Sequence, residues 1–290
     1  MLRLLVVLGL AAVGVGTSAC GGSSSVSTTT TSTAIPTTTS GSPNAKASAT
    51  TLAPAPRSGG SRTATSDMKV ALRHGGSLAS LHYVSTSVGN GVTTTIIGDV
   101  NRTSGAQTVA VSYKGATVSM EIELVGNEAY FRGSAAAIAD IIGLSVLQSS
   151  AASGQWVSVV PANSAYYQST AAALTVSSVM SELALSAPIT SARAVAVGGR
   201  PAVEISGAWI GQGITAKDHA TAELEVTTGT ASLPIRWSGE EPQSTKTARF
   251  TASFVVSKWG ETVRVVPPAV SVPLSTILKS TTTTTQPVVV

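Results

Sequence analysis

Ala116-Thr117-Val118-Ser119-Met120-Glu121-Ile122-Glu123-Leu124-Val125 is the stretch on which the fold turns. Val118, Met120, Ile122 and Leu124 alternate with Thr117, Ser119, Glu121 and Glu123, and a period of two gives a strand one dry face and one wet face. Working upstream, strands are expected at about His82 to Val88, Val92 to Val100 and Gln107 to Tyr113, and downstream at Glu128 to Phe131. The links are short and carry turn residues, such as Gly89-Asn90-Gly91 and Gly126-Asn127, so the pairing is antiparallel.

A helix is expected at about Ser66 to Ser80, with Met68, Leu72 and Leu78 as its buried stripe despite Gly75 and Gly76. Two more follow the first strands: Ser134 to Leu147, carrying Ile138, Ile141, Ile142 and Leu144, and Ala165 to Leu185, with a short strand Gln155 to Val160 between them. The chain then returns to strands at about Thr190 to Val197, Pro201 to Trp209, Ala220 to Thr227, Leu233 to Ser238, Thr247 to Val256 and Thr262 to Val266. In the fifth of these, Ala248, Phe250, Ala252, Phe254 and Val256 again alternate with polar neighbours. Strands, helices and strands again predict an α+β fold, an antiparallel sheet that must curl, with its helices on one face.

Only part of the 290 residues can fold this way. Half of the residues from Gly21 to Ser66 are Ser or Thr, and Thr281 to Thr285 forms another run. Such segments lack the apolar groups to build a core. The expected organisation is a signal segment at 1–20, a Ser/Thr-rich linker at 21–66, one domain at 67–278 and a tail at 279–290. All the acidic residues lie within 67–278, whereas Arg3, Lys46, Arg57, Arg62 and Lys279 lie outside it, so the overall charge of +4 reduces to −1 in the domain. No basic stripe marks a nucleic-acid partner.

Cys20 is the single cysteine. It follows Arg3, an apolar run from Leu4 to Val15 and the small residues Thr17, Ser18 and Ala19, the layout of a secretory signal. With Gly21 and Gly22 after it, Cys20 reads as the lipidation site of a bacterial lipobox, although Thr17 stands where Leu, Val or Ile is usual. Ordinary cleavage after Ala19 is the alternative. An acyl anchor would hold the protein at the outer, periplasmic or cell-wall side of the cell membrane. The linker, spanning on the order of 35–40 Å, would let the domain stand clear of it. Its Thr runs with Pro36, Pro43, Pro54 and Pro56 suit either O-glycosylation or a plain spacer.

No catalytic motif is found: GxSxG, HExxH, the P-loop and the calcium loop are all missing. Ser66-Asp67-Met68-Lys69 has the SxxK spacing without its companion motifs, and Ser66 reads as a helix N-cap. His74 and His82 are expected at the surface, and His219 beside Asp218 lacks a nucleophile. With one cysteine and three histidines, no metal site or cofactor is expected. Trp156, Trp209, Trp237 and Trp259 are expected to close the core at strand ends, with a place at a pocket mouth as the other reading.

Several short runs nevertheless resemble one group. Val125 to Phe131 (VGNEAYF), Gly154 to Val159 (GQWVSV), Leu233 to Trp237 (LPIRW), Phe254 to Gly260 (FVVSKWG), Val263-Arg264-Val265 and Pro267-Pro268 resemble, in this order, the LppX and LprG family of actinobacterial lipoproteins. The resemblance implies a LolA-like carrier fold, a strongly curved antiparallel half-barrel with helices on its concave face enclosing a pocket for lipid or lipid-linked glycan. It also implies a non-enzymatic protein of the cell envelope. The apolar faces then nominate Val118, Met120, Ile122, Leu124, Ile138, Ile141, Ile142, Phe250 and Phe254 as ligand-lining residues. If the layers collapse together, the same residues are core, and the domain is a structural or interaction module.

Overall fold

In the computed structural model, residues 61–161, 165–210, 219–229, 231–241 and 249–280 are described. Cys20, most of the Ser/Thr-rich segment and the Thr-rich tail lie outside them. The alternating stretch forms β4 (Ala116–Val125), within a meander of β1 (Ser80–Gly89), β2 (Val92–Asn101), β3 (Gly105–Tyr113) and β5 (Glu128–Gly133). Asn90 and Gly91, with φ of 52° and 73°, make the β1–β2 turn that a right-twisted hairpin requires.

A second meander comprises β7 (Ser186–Val197), β8 (Arg200–Ala208), β9 (Thr221–Thr227), β10 (Pro234–Glu241) and β11 (Phe250–Ser257). β1 pairs antiparallel with β11, and the short strands β6 (Val157–Val159) and β12 (Val272–Pro273) extend the other edge. Among the described residues this is one curved, open sheet of order β12-β6-β5-β4-β3-β2-β1-β11-β10-β9-β8-β7. Its ladders among the described residues are antiparallel except that of β12 with β6. The expected α+β class with a curled antiparallel sheet is the fold observed.

The helices depart from expectation. α1 (Ser61–Ser77) starts five residues early, so Ser66 lies within the helix and is not its cap. Its buried stripe is Ala64, Met68, Ala71 and Gly75, spaced for one helical face. A Cβ at Gly75 would stand 2.5 Å from Met180 Sδ, so the glycine is what lets α1 lie against the helical segment that carries Met180.

The helix expected over Ser134 to Leu147 is instead α2 (Ala135–Ala137) running into a π-helical turn, Ile138–Ile142, and then, after a break, α3 (Val146–Ala152). Gly143 ends the first piece at φ 79°, and Ser145 with Gln148 forms a capping box that starts the next. The expected helix Ala165 to Leu185 is likewise two, α4 (Ala165–Ala171) and α5 (Val176–Glu182). There Thr175 caps α5 by accepting from the Ser178 N–H at 3.2 Å. A last helix, α6 (Leu274–Ser280), was not expected and buries Leu274 and Ile277.

The strand expected at Thr262 to Val266 is also corrected. This segment forms no ladder but crosses the wet face of the first meander, where Val263 accepts from Asn101 Nδ2 at 3.4 Å. Val263 and Val265 turn toward the sheet while Thr262, Arg264 and Val266 face water, so the alternation that suggested a strand belongs to a strap.

Candidate functional site

The register fixes which side chains share the apolar face. Antiparallel partners project to the same side, so Val256, Tyr83, Gly98, Gln107, Ile122, Phe131 and Val157 form one row from β11 to β6. Tyr83 lies across Gly98 and donates its hydroxyl hydrogen to Gln107 Oε1 at 2.5 Å. Its ring stacks on Phe254 with centroids 5.2 Å apart. Burial and the Asp99 charge both push the Tyr83 phenol up from its ordinary value, so it stays a neutral donor.

Of the residues nominated from sequence, Met120, Ile122, Leu124, Ile138, Ile142 and Phe254 are all 3% exposed or less, Phe250 is buried, and Val118 and Ile141 pack half-buried against them. They line one layer but not one spot. β4 and β11 are four strand spacings apart in the sheet order, about 19 Å, with the isoleucines of the π-helical turn over the first and Phe250 and Phe254 on the second. Where these side chains meet the helices, the layers are in contact.

An aromatic corner went unread in the sequence. Trp209, directly after β8, packs edge-on against Trp237 at 5.0 Å and lies 5.7 Å from Phe250. The residues at the base of this corner belong to different strands, so no local pattern marks them. Trp237 Nε1 is buried and has no acceptor among the described residues.

The wet face carries the charges. Arg132 binds Glu121 through both carboxylate oxygens and stands 4.7 Å over the Trp156 ring, and Arg193 grips Glu204 at 2.6 and 3.0 Å. His82, expected at the surface, pairs with Asp99 at 2.9 Å, and His74, also expected there, has its Nδ1 buried with no partner among the described residues. A groove of about 970 Å³ runs over two wet-face rows of the second meander, Thr86-Ser253-Ser238-Glu223-Ser206 and Val88-Thr251-Glu240-Thr221-Ala208. Among the described residues no group of three or more His, Cys, Asp or Glu is placed to hold a metal ion.

Burial raises the carboxyl of Glu123 above the ordinary glutamate value, helped by the Glu121 charge and opposed by Arg132, and its Oε2 has no partner among the described residues. A raised folded-state pKa means that the ionised form costs stability. Stability is therefore greatest below the ordinary glutamate pKa and falls as pH rises through it toward the raised value. Glu123→Gln should melt higher than the parent at pH 7, and the gain should vanish below about pH 4. Thermal melts across this range check it, and an equal gain at both ends would assign the effect to packing instead.

Comparison with known proteins gives structural neighbours only. No family model matches the chain, and no curated protein matches it. The lipoprotein LppX of Mycobacterium tuberculosis is similar over 71% of this chain and 99% of its own, with 15% identity and a TM-score of 0.40. LprF from Mycobacterium bovis is similar over 73% of this chain and 99% of its own, with 16% identity and a TM-score of 0.44. Both are actinobacterial lipoproteins of the kind that the short sequence runs resemble. Among the described residues, no helix is long and apolar enough to cross a membrane.

Proposed function

We propose that this chain is a non-catalytic protein of the cell envelope that shelters the acyl chains of a lipid or lipoglycan between its sheet and its helices. Acylated Cys20 holds it at the outer side of the cell membrane, and the Ser/Thr-rich linker gives the domain reach. The observation that carries this reading is the make-up of the cover. Beside α1, the apolar face is covered by helical pieces of eight residues or fewer, α2 with its π-helical turn, α3, α4 and α5. Helices so short are not stable by themselves and are held by their apolar contacts, which an acyl chain can replace. Each methylene transferred from water contributes about 0.8 kcal/mol, so a long chain needs no charged apparatus to bind. The sequence resemblance to lipid carriers agrees with this reading.

The close contact of the two layers favours a second reading, an interaction module of the envelope with a filled core. Native mass spectrometry of the protein extracted from membranes in mild detergent separates the two. The expected result is a diacylglyceryl group on Cys20 and a bound lipid lost on collisional activation. A chain that carries no lipid, and that binds no cis-parinaric acid after delipidation, is the interaction module. An unmodified Cys20 removes the anchor.

A further inference from the structure

We infer that the Trp209 indole occupies the middle of the acyl site in the ligand-free protein and leaves it when an acyl chain enters. The inference rests on the acyl-sheltering reading above and assigns that site its gate. On the apolar face, Ser87, Ala252, Gly239, Ala222 and Gly207 form a row across five adjacent strands, β1, β11, β10, β9 and β8. None has a side chain larger than a hydroxymethyl group, so the row is a strip of small residues about 19 Å long, comparable with an extended long-chain acyl group, and other side chains fill the space over it, Ile189 and Leu185 at Gly207 and two indoles at Gly239. Its neighbouring row, Ser85, Phe254, Trp237, Leu224 and Ile205, is bulky beyond Ser85 and forms one wall.

Trp209 and Trp237 share the space over Gly239, the middle member of the row. The Trp209 backbone N–H is fixed to the Ala220 carbonyl at 3.0 Å, and an added Cβ at Gly239 would stand 2.7 Å from its Cε3, 3.0 Å from its Cζ3 and closer still to Trp237 Cη2. Glycine at 239 is thus what admits both indoles, of which Trp209 is the one at a strand end. Trp209 is 7% exposed and Phe250 8%, against 1% for Trp237, so the outer members of the aromatic corner reach water. α1 and α5 cover the other end of β10, where Gly75 approaches Met180 and Pro234. At the Gly239 end the cover is a side chain on a strand terminus, which can swing away by rotation about its own bonds. Beside it the buried Trp237 Nε1–H has no acceptor among the described residues, and the ester carbonyl of an entering acylated lipid would supply one.

The test uses cis-parinaric acid and palmitate on the delipidated protein. Trp209→Ala, checked for folding by circular dichroism, should bind cis-parinaric acid at least tenfold more tightly than the parent, because the movable one of the two indoles over Gly239 is gone. Adding Gly239→Val in that background should return the affinity to the parent's level or below. Should Trp209→Ala fail to fold, Trp209→Leu is expected to show the same gain in smaller measure. In the parent, palmitate should shift tryptophan emission to the red as the indole enters water, a shift that Trp209→Phe abolishes; a cavity made only by mutation would leave the parent's emission unmoved. Equal affinity in parent and Trp209→Ala, or no red shift in the parent, overturns the gate while leaving acyl binding in place. Absence of binding by both proteins overturns the acyl-sheltering reading and the gate with it.

Discussion

Phe254→Ala should lower the unfolding free energy by about 3–5 kcal/mol, the range for emptying a well-packed aromatic site. Phe254 is 1% exposed, stacks on Tyr83 and lies beside Trp237 across the β10–β11 ladder. These neighbours belong to a sheet and cannot collapse into the void. For a domain of this size the loss corresponds to roughly 6–20 °C in Tm. Val255→Ala, next in sequence on the wet face and 46% exposed at the parent residue, should stay within about 0.5 kcal/mol of the parent. Urea unfolding of the two variants measures the difference. A loss below about 1 kcal/mol for Phe254→Ala would mean that its ring faces a space instead of packed atoms.

The second large effect comes from adding atoms. At Gly98 a Cβ would lie 2.5 Å from Tyr83 Cζ and 2.6 Å from its hydroxyl oxygen. The ring cannot yield, since Phe254 stacks on it and its hydroxyl is committed to Gln107. Gly98→Ala should therefore cost about 1–3 kcal/mol in overpacking. If the ring is displaced, the stranded Gln107–Tyr83 pair adds roughly another 1–3 kcal/mol. Tyr83→Leu in the Gly98→Ala background should recover part of the loss, giving a coupling energy in a double-mutant cycle. Purely additive losses would show that the two residues do not meet.

These two sites mark the limit of what the sequence alone discloses. The strands were legible because alternation is a local property, and β4 shows it over ten residues. The breaks in the helical stretches were harder to read. Gly143 and Thr175 interrupt apolar periodicity without abolishing it, so Ile138 to Leu144 and Leu174 to Leu183 read as continuous helices. Ala64 and Gly75 looked like linker and helix-breaker, since a small residue reveals its packing role only when its partner, here Met180, is in place. α6 was hidden by the adjoining Thr run. Alternation shows that the nominated residues share an apolar face, and they are buried or half-buried there, but their distribution along the sheet depends on strand order and is not a local property. The strip of small residues depends on five residues from five strands, and the Trp209 contact with Gly239 depends on register.

The single ladder between β1 and β11 also shapes how the protein comes into being. The first and second meanders each form from neighbouring hairpins, but His82 must find Ser257 and Val88 must find Thr251 before the two become one sheet. Local pairs close quickly, whereas joining distant segments is slow because a long loop must be ordered first. While the chain is being made from its N-terminus, β1 therefore waits with one side of its backbone unsatisfied until β11 has emerged. A bare strand edge of this kind recruits strands from other chains. A chain interrupted between β5 and β11 is thus a seed for aggregation and not a smaller working domain. The delivery of the last long strand is the moment at which the nascent protein most needs a chaperone.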